Sequence, residues 1–395
     1  MSNVRRLLLT CGILALLCAC RGGRSAADVS EGDTLAWRYA ERISIVRHDG
    51  YDVVTLRNPW KEGKVLHRYV LVPRHAELPD PLPEGTLVRT PLQRAAVFTT
   101  VHCALLTTLH REASIVAVAD LKYIKIPWIQ QQVAEGHIVD CGDGLSPMVE
   151  KIIDAQADAI LLSPFENSGG YGRLEEIGIP LIECAEYMET SPLGRAEWMR
   201  FYGMLFGAEQ QTDSLFAVVD SSYQALCREA RTSSTRPTVL VDKQVGTVWY
   251  VPGGRSTIGQ MLADAQCDYP FAADDHSGSL PLPFEAVLEK AGHADVWLFR
   301  YDADAPITMR QLLADQHGYA QLRPTRTGQV YGCNVRTSHF YEQSPFRPDL
   351  LLRDFITILH PDLPSHDTLR YYNKIEYGSP PLRSPPLTPP WGEDE

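Results

Sequence analysis

The sequence predicts an α/β protein built as two lobes joined by one long helix, and three observations predict it. Across residues 95–184, near-continuous apolar strands alternate with helical segments, the texture of a parallel sheet covered on both faces. The same texture restarts at Thr238 and continues to about His360. Between them, residues 211–231 (QTDSLFAVVDSSYQALCREAR) place Leu215, Val219, Tyr223, Leu226 and Ala230 at spacings of three and four, which gives a helix one apolar face. No Gly or Pro interrupts that run, and Thr212 or Asp213 can cap its start. A helix of this length spans roughly 30 Å, the width of a small domain. It reads as a rigid strut.

A chain of 395 residues with 44% hydrophobic composition can bury a large core and suggests two or three domains. The net charge of -12, spread along the chain, argues against a nucleic-acid footprint. Of nine cysteines, Cys11, Cys18 and Cys20 fall near the start, and the other six are far apart. No CxxC occurs, which removes zinc-ribbon and thioredoxin-type signals and leaves buried free thiols as the expectation.

Arg5 and Arg6 precede an apolar run over residues 7–17, too short to span a bilayer but suited to a signal peptide. The run ends in Leu17-Cys18-Ala19-Cys20, which resembles a bacterial lipobox. Cys20 follows a small residue and is the expected lipidation site; Cys18 follows a leucine. An ordinary cleaved signal is the alternative. The mature chain would start at Cys20 with a polar tether over residues 21–33, anchored to a membrane and facing a bacterial periplasm.

Residues 37–94 read as strands and turns, with Tyr51-Asp-Val-Val-Thr-Leu56, residues 65–73 and residues 86–90 as strands around a Pro-rich turn at 78–83. In the first lobe, strands are expected at 95–98, 114–119, 138–140, 159–163 and 180–184, with helices at 104–110 and 148–157. In the second, strands are expected at 238–241, 247–251 and 296–299, with 329–331 as the last. Helices are expected at 258–265, 284–291 and 347–360, where Pro348 starts and Pro361 follows the last one. Residues 379–395 hold six prolines and an acidic end, a composition with little to bury.

Three segments carry a resemblance: Met148-Val-Glu-Lys-Ile-Ile-Asp-Ala-Gln-Ala-Asp-Ala-Ile-Leu-Leu, Ser191-Pro-Leu-Gly-Arg-Ala-Glu-Trp-Met-Arg-Phe and Phe284-Glu-Ala-Val-Leu-Glu-Lys-Ala. They resemble the periplasmic solute-binding proteins of ABC importers for iron chelates and vitamin B12, the type with a helical backbone between lobes. The resemblance covers about residues 95–363. It implies two Rossmann-like lobes joined by a single long helix, preceded here by a strand-rich N-terminal extension outside the common core. The implied division is a signal peptide at 1–20, tether and extension at 21–94, lobes at 95–208 and 233–378, the helix at 209–232 and a tail at 379–395. It further implies one glutamate on each lobe docking into permease arginines. The matching positions are Glu150 and Glu285, although a glutamate in a first helical turn is also favoured by the helix dipole. Glu197 reads as a structural ion-pair partner.

Catalytic signatures are missing: there is no HExxH, GxSxG or GxxxxGK[ST], and Pro252-Gly-Gly-Arg255 reads as a turn. His102, His293 and His339 lack HxH or HxxxH spacing, so no metal site and no cofactor is expected. Ligands of open α/β sheets bind beyond the carboxyl ends of strands. That rule selects Thr99, Thr100 and His102, then Lys122 and Tyr123, then Phe165 and Tyr171. In the second lobe it selects Trp249, Tyr250 and Arg255, then Arg300 and Tyr301. Aromatic walls with a few cations suit a large, flat, partly anionic chelate, although one residue of the Trp249–Tyr250 pair must face the core. The sequence therefore predicts a monomeric, non-enzymatic, lipid-anchored binding protein that delivers an iron chelate or corrinoid to an ABC permease. A haem carrier is the nearest alternative. A metal-cluster or tetrapyrrole enzyme component on the same fold and a surface adhesion module are more distant ones.

Overall fold

A computed structural model describes residues 32–166, 170–364 and 368–378. The predicted signal peptide, Cys20 and the tail at 379–395 lie outside the described residues. Among them no helix is long and apolar enough to cross a membrane, and Cys103, Cys141, Cys184, Cys227, Cys267 and Cys333 are free and buried.

The extension is one five-stranded sheet in sequential order, β1 (Asp33–Thr34), β2 (Ile43–His48), β3 (Tyr51–Arg57), β4 (Val65–Pro73) and β5 (Thr86–Thr90), antiparallel except for the parallel β4–β5 pair. Alternation along β2 and β3 sends Ile43, Ile45, Val54 and Leu56 inward, into the same apolar core as the first lobe. Two buried carboxylates fasten the segment leading into β2. Glu197 accepts the backbone N–H groups of Arg38, Tyr39 and Ala40 at 2.9, 2.8 and 2.9 Å. Glu189 accepts those of Glu41 and Arg42 at 3.1 and 2.8 Å and the Trp198 indole N–H at 2.9 Å. Glu197 does meet Arg200, at 3.6 Å, but it also holds three successive amides of the extension, of which that of Ala40 would otherwise be buried without a partner.

The first lobe is a parallel sheet of five strands, β6 (Ala95–Val97), β7 (Ile115–Val118), β8 (Val139–Asp140), β9 (Ala159–Leu162) and β10 (Leu181–Glu183), in the order β10-β9-β6-β7-β8. Its β10 edge is closed by one side chain of the extension: Tyr69 donates its hydroxyl to Leu181 O at 3.0 Å and accepts Glu183 N–H at 2.8 Å. An edge strand's unpaired groups are thereby satisfied without a further strand.

The strut is a helix of 22 residues, Glu209–Ala230, with Val219, Tyr223, Leu226 and Ala230 buried as the spacing predicts. It starts after Ala208 and has no side-chain cap. Thr212, expected as a cap, is buried one turn inside and donates to Ala208 O and Glu209 O. The preceding helix, Met199–Phe206, ends at Gly207, whose φ of +64° is the left-handed conformation that glycine adopts freely. The strut packs on the last long helix, Pro348–Leu359, of the second lobe.

The second lobe differs from expectation in two ways. Residues 247–251 do not join the main sheet. They form β13 (Val248–Pro252) of a separate antiparallel ribbon with β12 (Gln244–Val245) and β14 (Ser279–Leu282). The main sheet is β11 (Val239–Val241), β15 (Val296–Tyr301), β16 (Val330–Asn334) and β17 (Tyr372–Lys374), with the last antiparallel. The strand expected to end at Tyr331 therefore runs three residues further, and β17 was not predicted. Tyr372–Lys374 is held by Asp354, which accepts the N–H groups of Arg370, Tyr371 and Tyr372 at 2.7, 2.7 and 3.1 Å, a long-range tie that no local pattern announces.

Candidate functional site

Three strand ends of the second lobe and two helices of the first lobe converge on a cavity of about 250 Å³ between the lobes. The end of β15 supplies Arg300, the turn after β13 leads to Ser256 and Thr257, and the loop after β16 supplies Phe340 and Tyr341. The first lobe faces them with Val101 and Arg195. Gly253, Gly254 and Gly259 let the β13 turn pack tightly: a side chain at Gly254 would meet Ala272 O at 2.2 Å.

Among the described residues, the cavity is lined by two arginines and no carboxylate. Arg300 is already neutralised. It grips Asp242 with two parallel bonds, Nε to Oδ1 at 2.9 Å and Nη2 to Oδ2 at 2.6 Å, and lies over the Phe340 ring at 5.7 Å. Burial alone would lower its pKa, but Asp242 outweighs burial and raises it. Arg195 is different. Its Nε is buried with no hydrogen-bond partner, and burial lowers its pKa while the nearby Glu186 and Tyr202 oppose that. Arg195 thus keeps one unfilled donor, and its charge is offset by the nearby Glu186 rather than by a bonded carboxylate.

Beside the cavity the lobes touch. The short helix Phe340–Gln343 lies against the helix Thr100–Thr108, and burial raises the pKa of Glu342, which faces Thr100, His339 and Lys125. Phe346 is seated edge-on against His102 and Tyr202, with ring centres 6.1 and 5.9 Å away.

The predicted residues are distributed unevenly. Arg300 lines the cavity. Thr99 caps the helix at Thr100 by accepting the His102 N–H, and its hydroxyl meets His102 Nδ1. Thr100 lies at the lobe–lobe contact. His102 is 1% exposed and forms the floor behind Phe346. Its Nε2 lies 3.5 Å from Glu186 Oε2, which also accepts the Tyr202 hydroxyl at 2.8 Å. Burial alone would lower the pKa of His102, but Cys184 and Glu186 overcome it and raise the value to about 10. Lys122 and Tyr123 are exposed, with the ammonium 4.8 Å over the ring, and Phe165 is exposed.

Five residues stand elsewhere. Trp249 is fully buried against Trp297, Phe284 and Tyr319, and its indole donates to Val241 O at 3.0 Å, so it belongs to the core of the second lobe. Tyr250, on the other face of β13, is exposed. Tyr301 is buried against Gly332. Arg255 borders a separate groove with Arg231 at the end of the strut. Tyr171 donates to Glu183 Oε1 at 2.6 Å in a cavity against the extension, not between the lobes. Arg195, Phe340 and Tyr341 were missed. The strand-end rule would have reached the last two had β16 been given its full length; Arg195 sits on a helix, where that rule does not look.

Glu150 and Glu285 both occupy the first turn of exposed helices, Val149–Asp154 and Phe284–Ala291. Glu150 accepts from Arg173 at 2.6 Å, a bond that lowers its pKa.

Two α/β lobes, a cavity at their strand ends and a single helix as the connection define a ligand-binding protein of the two-lobed kind. The chain belongs to the periplasmic binding protein family, whose model matches residues 99–337. An uncharacterized lipoprotein of Methanocaldococcus jannaschii is 25% identical over 286 residues, 70% of this chain and 67% of that protein. Among solved structures, an ABC-type Fe3+-hydroxamate transport system protein of Saccharomonospora viridis has a TM-score of 0.53 at 19% identity, covering 68% of this chain and 93% of that one. A periplasmic heme binding protein of Pseudomonas aeruginosa has a TM-score of 0.53 at 14% identity, covering 72% and 99%.

Proposed function

We propose that this chain is a lipid-anchored substrate-binding protein that captures an iron chelate or corrinoid between its lobes and delivers it to an ABC permease. The observation that carries the ligand class is the charge of the cavity: among the described residues two arginines and no carboxylate line it, in a chain of net charge -12. With Arg300 neutralised by Asp242, Arg195 is left to meet an anionic group of the ligand, and Phe340 and Tyr341 supply aromatic surface. A similar fold is used by proteins named for Fe3+-hydroxamate transport and for heme binding. The volume of about 250 Å³ lies below the roughly 300–1,000 Å³ usual for small-molecule sites, so the lobes must part to admit a chelate. The contact that yields is Phe346 on His102 and Tyr202. Lipidation at Cys20 accords with the lipoprotein name of the relative, and Glu150 and Glu285 are the docking points for the permease.

The test is native mass spectrometry of the purified chain mixed with ferric siderophores, cobalamin and haem. One retained ligand, with affinity reduced about tenfold or more by Arg195→Ala, is the expected result. Haem retained alone would move the assignment to a haem carrier. Retention of none, or binding indifferent to Arg195, would overturn the reading. Cys20→Ser is expected to release the protein into the soluble fraction; unchanged membrane association would defeat the anchor.

A further inference from the structure

A second cavity, of about 620 Å³, lies where the extension meets the first lobe. Thr86, Leu87 and His67 face it from β4 and β5, and Tyr171, Leu181 and Glu183 face it from the lobe. It lies within the size range of small-molecule sites, and its extension wall falls outside residues 99–337. Its charge is the reverse of the interlobe cavity: Glu175 and Glu183 line it, and no lysine or arginine does among the described residues.

The second observation concerns Glu183 itself. It is 6% exposed, and its Oε1 accepts the Tyr171 hydroxyl at 2.6 Å. Its Oε2 makes no hydrogen bond. His67 Nδ1 is 3.3 Å from that oxygen, outside hydrogen-bond geometry, while His67 Nε2 is engaged with the Thr86 hydroxyl at 2.8 Å. A buried carboxylate with an unfilled acceptor is costly, and a donor with positive charge offsets that cost best. The remaining wall is apolar, from Leu87, Ile179, Pro180 and Leu181, with the rings of His67 and Tyr171 beside it. Such walls suit the carbon body of an organic cation and the faces of its ammonium or guanidinium head. A metal ion fits less well, because no group of three His, Cys, Asp or Glu among the described residues is arranged to hold one.

We propose that this junction cavity is a second ligand site, separate from the interlobe cavity, which takes a small organic cation with an ammonium or guanidinium head against Glu183. Its test uses the full chain and isothermal titration with agmatine, putrescine and choline, and with manganese and zinc chloride as a separate arm. Saturable 1:1 binding of at least one organic cation is expected. Glu183→Gln should weaken it about tenfold or more, and Leu87→Trp should weaken it by filling the space while Glu183 stays intact. Arg195→Ala should leave it unchanged. Circular dichroism melting of both variants separates loss of the site from loss of the fold. Failure of all three organic cations to bind overturns the proposal. So does binding that survives both variants, falls with Arg195→Ala, or occurs only with the metals.

Discussion

The interlobe and junction cavities are built on opposite plans. The interlobe cavity is small, cationic and bounded by elements from both lobes, so its shape changes whenever the lobes move. The junction cavity is larger, acidic and bounded by the extension and one lobe, which are stitched by Tyr69 and Glu197. A site between bodies that part can admit and release a bulky ligand, whereas a site inside one packed body favours a small resident ligand. Charge follows the same division, since each cavity has one ionic side chain with an atom left without a hydrogen bond, Arg195 Nε in the first and Glu183 Oε2 in the second.

The hardest blow to this contrast falls on the strut. Val219 is fully buried at mid-helix, and Val219→Pro removes a backbone hydrogen bond and clashes with the preceding turn, at a cost of about 3 kcal/mol or more. Chelate binding should be lost, because the lobes lose their mutual placement. Cation binding at the junction should persist wherever the first lobe stays folded, since no strut residue lines that cavity. Chemical denaturation followed by the two titrations checks this. A variant that melts and binds chelate like the unmodified chain would show that the helix is not the connection.

Phe346→Ala should have the next largest effect. The ring is buried, and its removal costs about 3–5 kcal/mol at a rigid core site, but less here if the lobes can part. The expected outcome is a larger radius of gyration in small-angle scattering without ligand, with junction binding unchanged. No change in shape would mean that Phe346 packs the interface without holding it shut.

Much of this architecture was legible in the sequence, and the reason differs by element. The strut shows because a helix repeats every 3.6 residues and its buried stripe is written locally. The parallel strands of the first lobe show because they are apolar on both faces. Alternation in Trp249-Tyr250 said that one ring turns inward but not which, and the structure buries Trp249. The cavities were less legible because their walls come from distant segments. Glu197 reaches back 158 residues to Tyr39, and Tyr69 meets Glu183 across 114. Tyr171 was selected by the strand-end rule for the cleft between the lobes, but the structure turns it toward the extension.

The interlobe side also carries a pH signature. Cys184 and Glu186 raise the pKa of His102 from 6.5 to about 10 despite burial, so this contribution to stability is complete below 6.5 and is lost as pH rises through 10. Burial pushes Glu186 up, but His102 outweighs it and the pKa falls below 4.5, so that contribution is complete above 4.5 and is lost as pH falls further. The pair therefore stabilises most between 4.5 and 6.5. His102→Gln should flatten the alkaline decline of the denaturation midpoint, and an unchanged profile would remove the pair as its cause.

The smallest effect on either cavity should come from the surface glutamates. Glu150 and Glu285 are exposed, on opposite sides of the strut in the chain, and neither lines a cavity described above. Charge reversal at both should leave chelate and cation affinities within error while reducing ATP-driven uptake with the permease in vesicles. The reduction should be greater at low salt, where exposed charges are least screened. The two positions are not equivalent, because Glu150 must leave Arg173 to bind a permease arginine. Exposed pairs of this kind contribute little to stability, so the exchange is nearly free. Arg173→Ala should accordingly leave uptake intact or improve it slightly, whereas Glu150→Arg should depress it. Equal loss of uptake in both variants would mean that the ion pair, not the free carboxylate, is what the permease recognises. Lost ligand binding in the double reversal would place these glutamates in the binding machinery and remove their docking role.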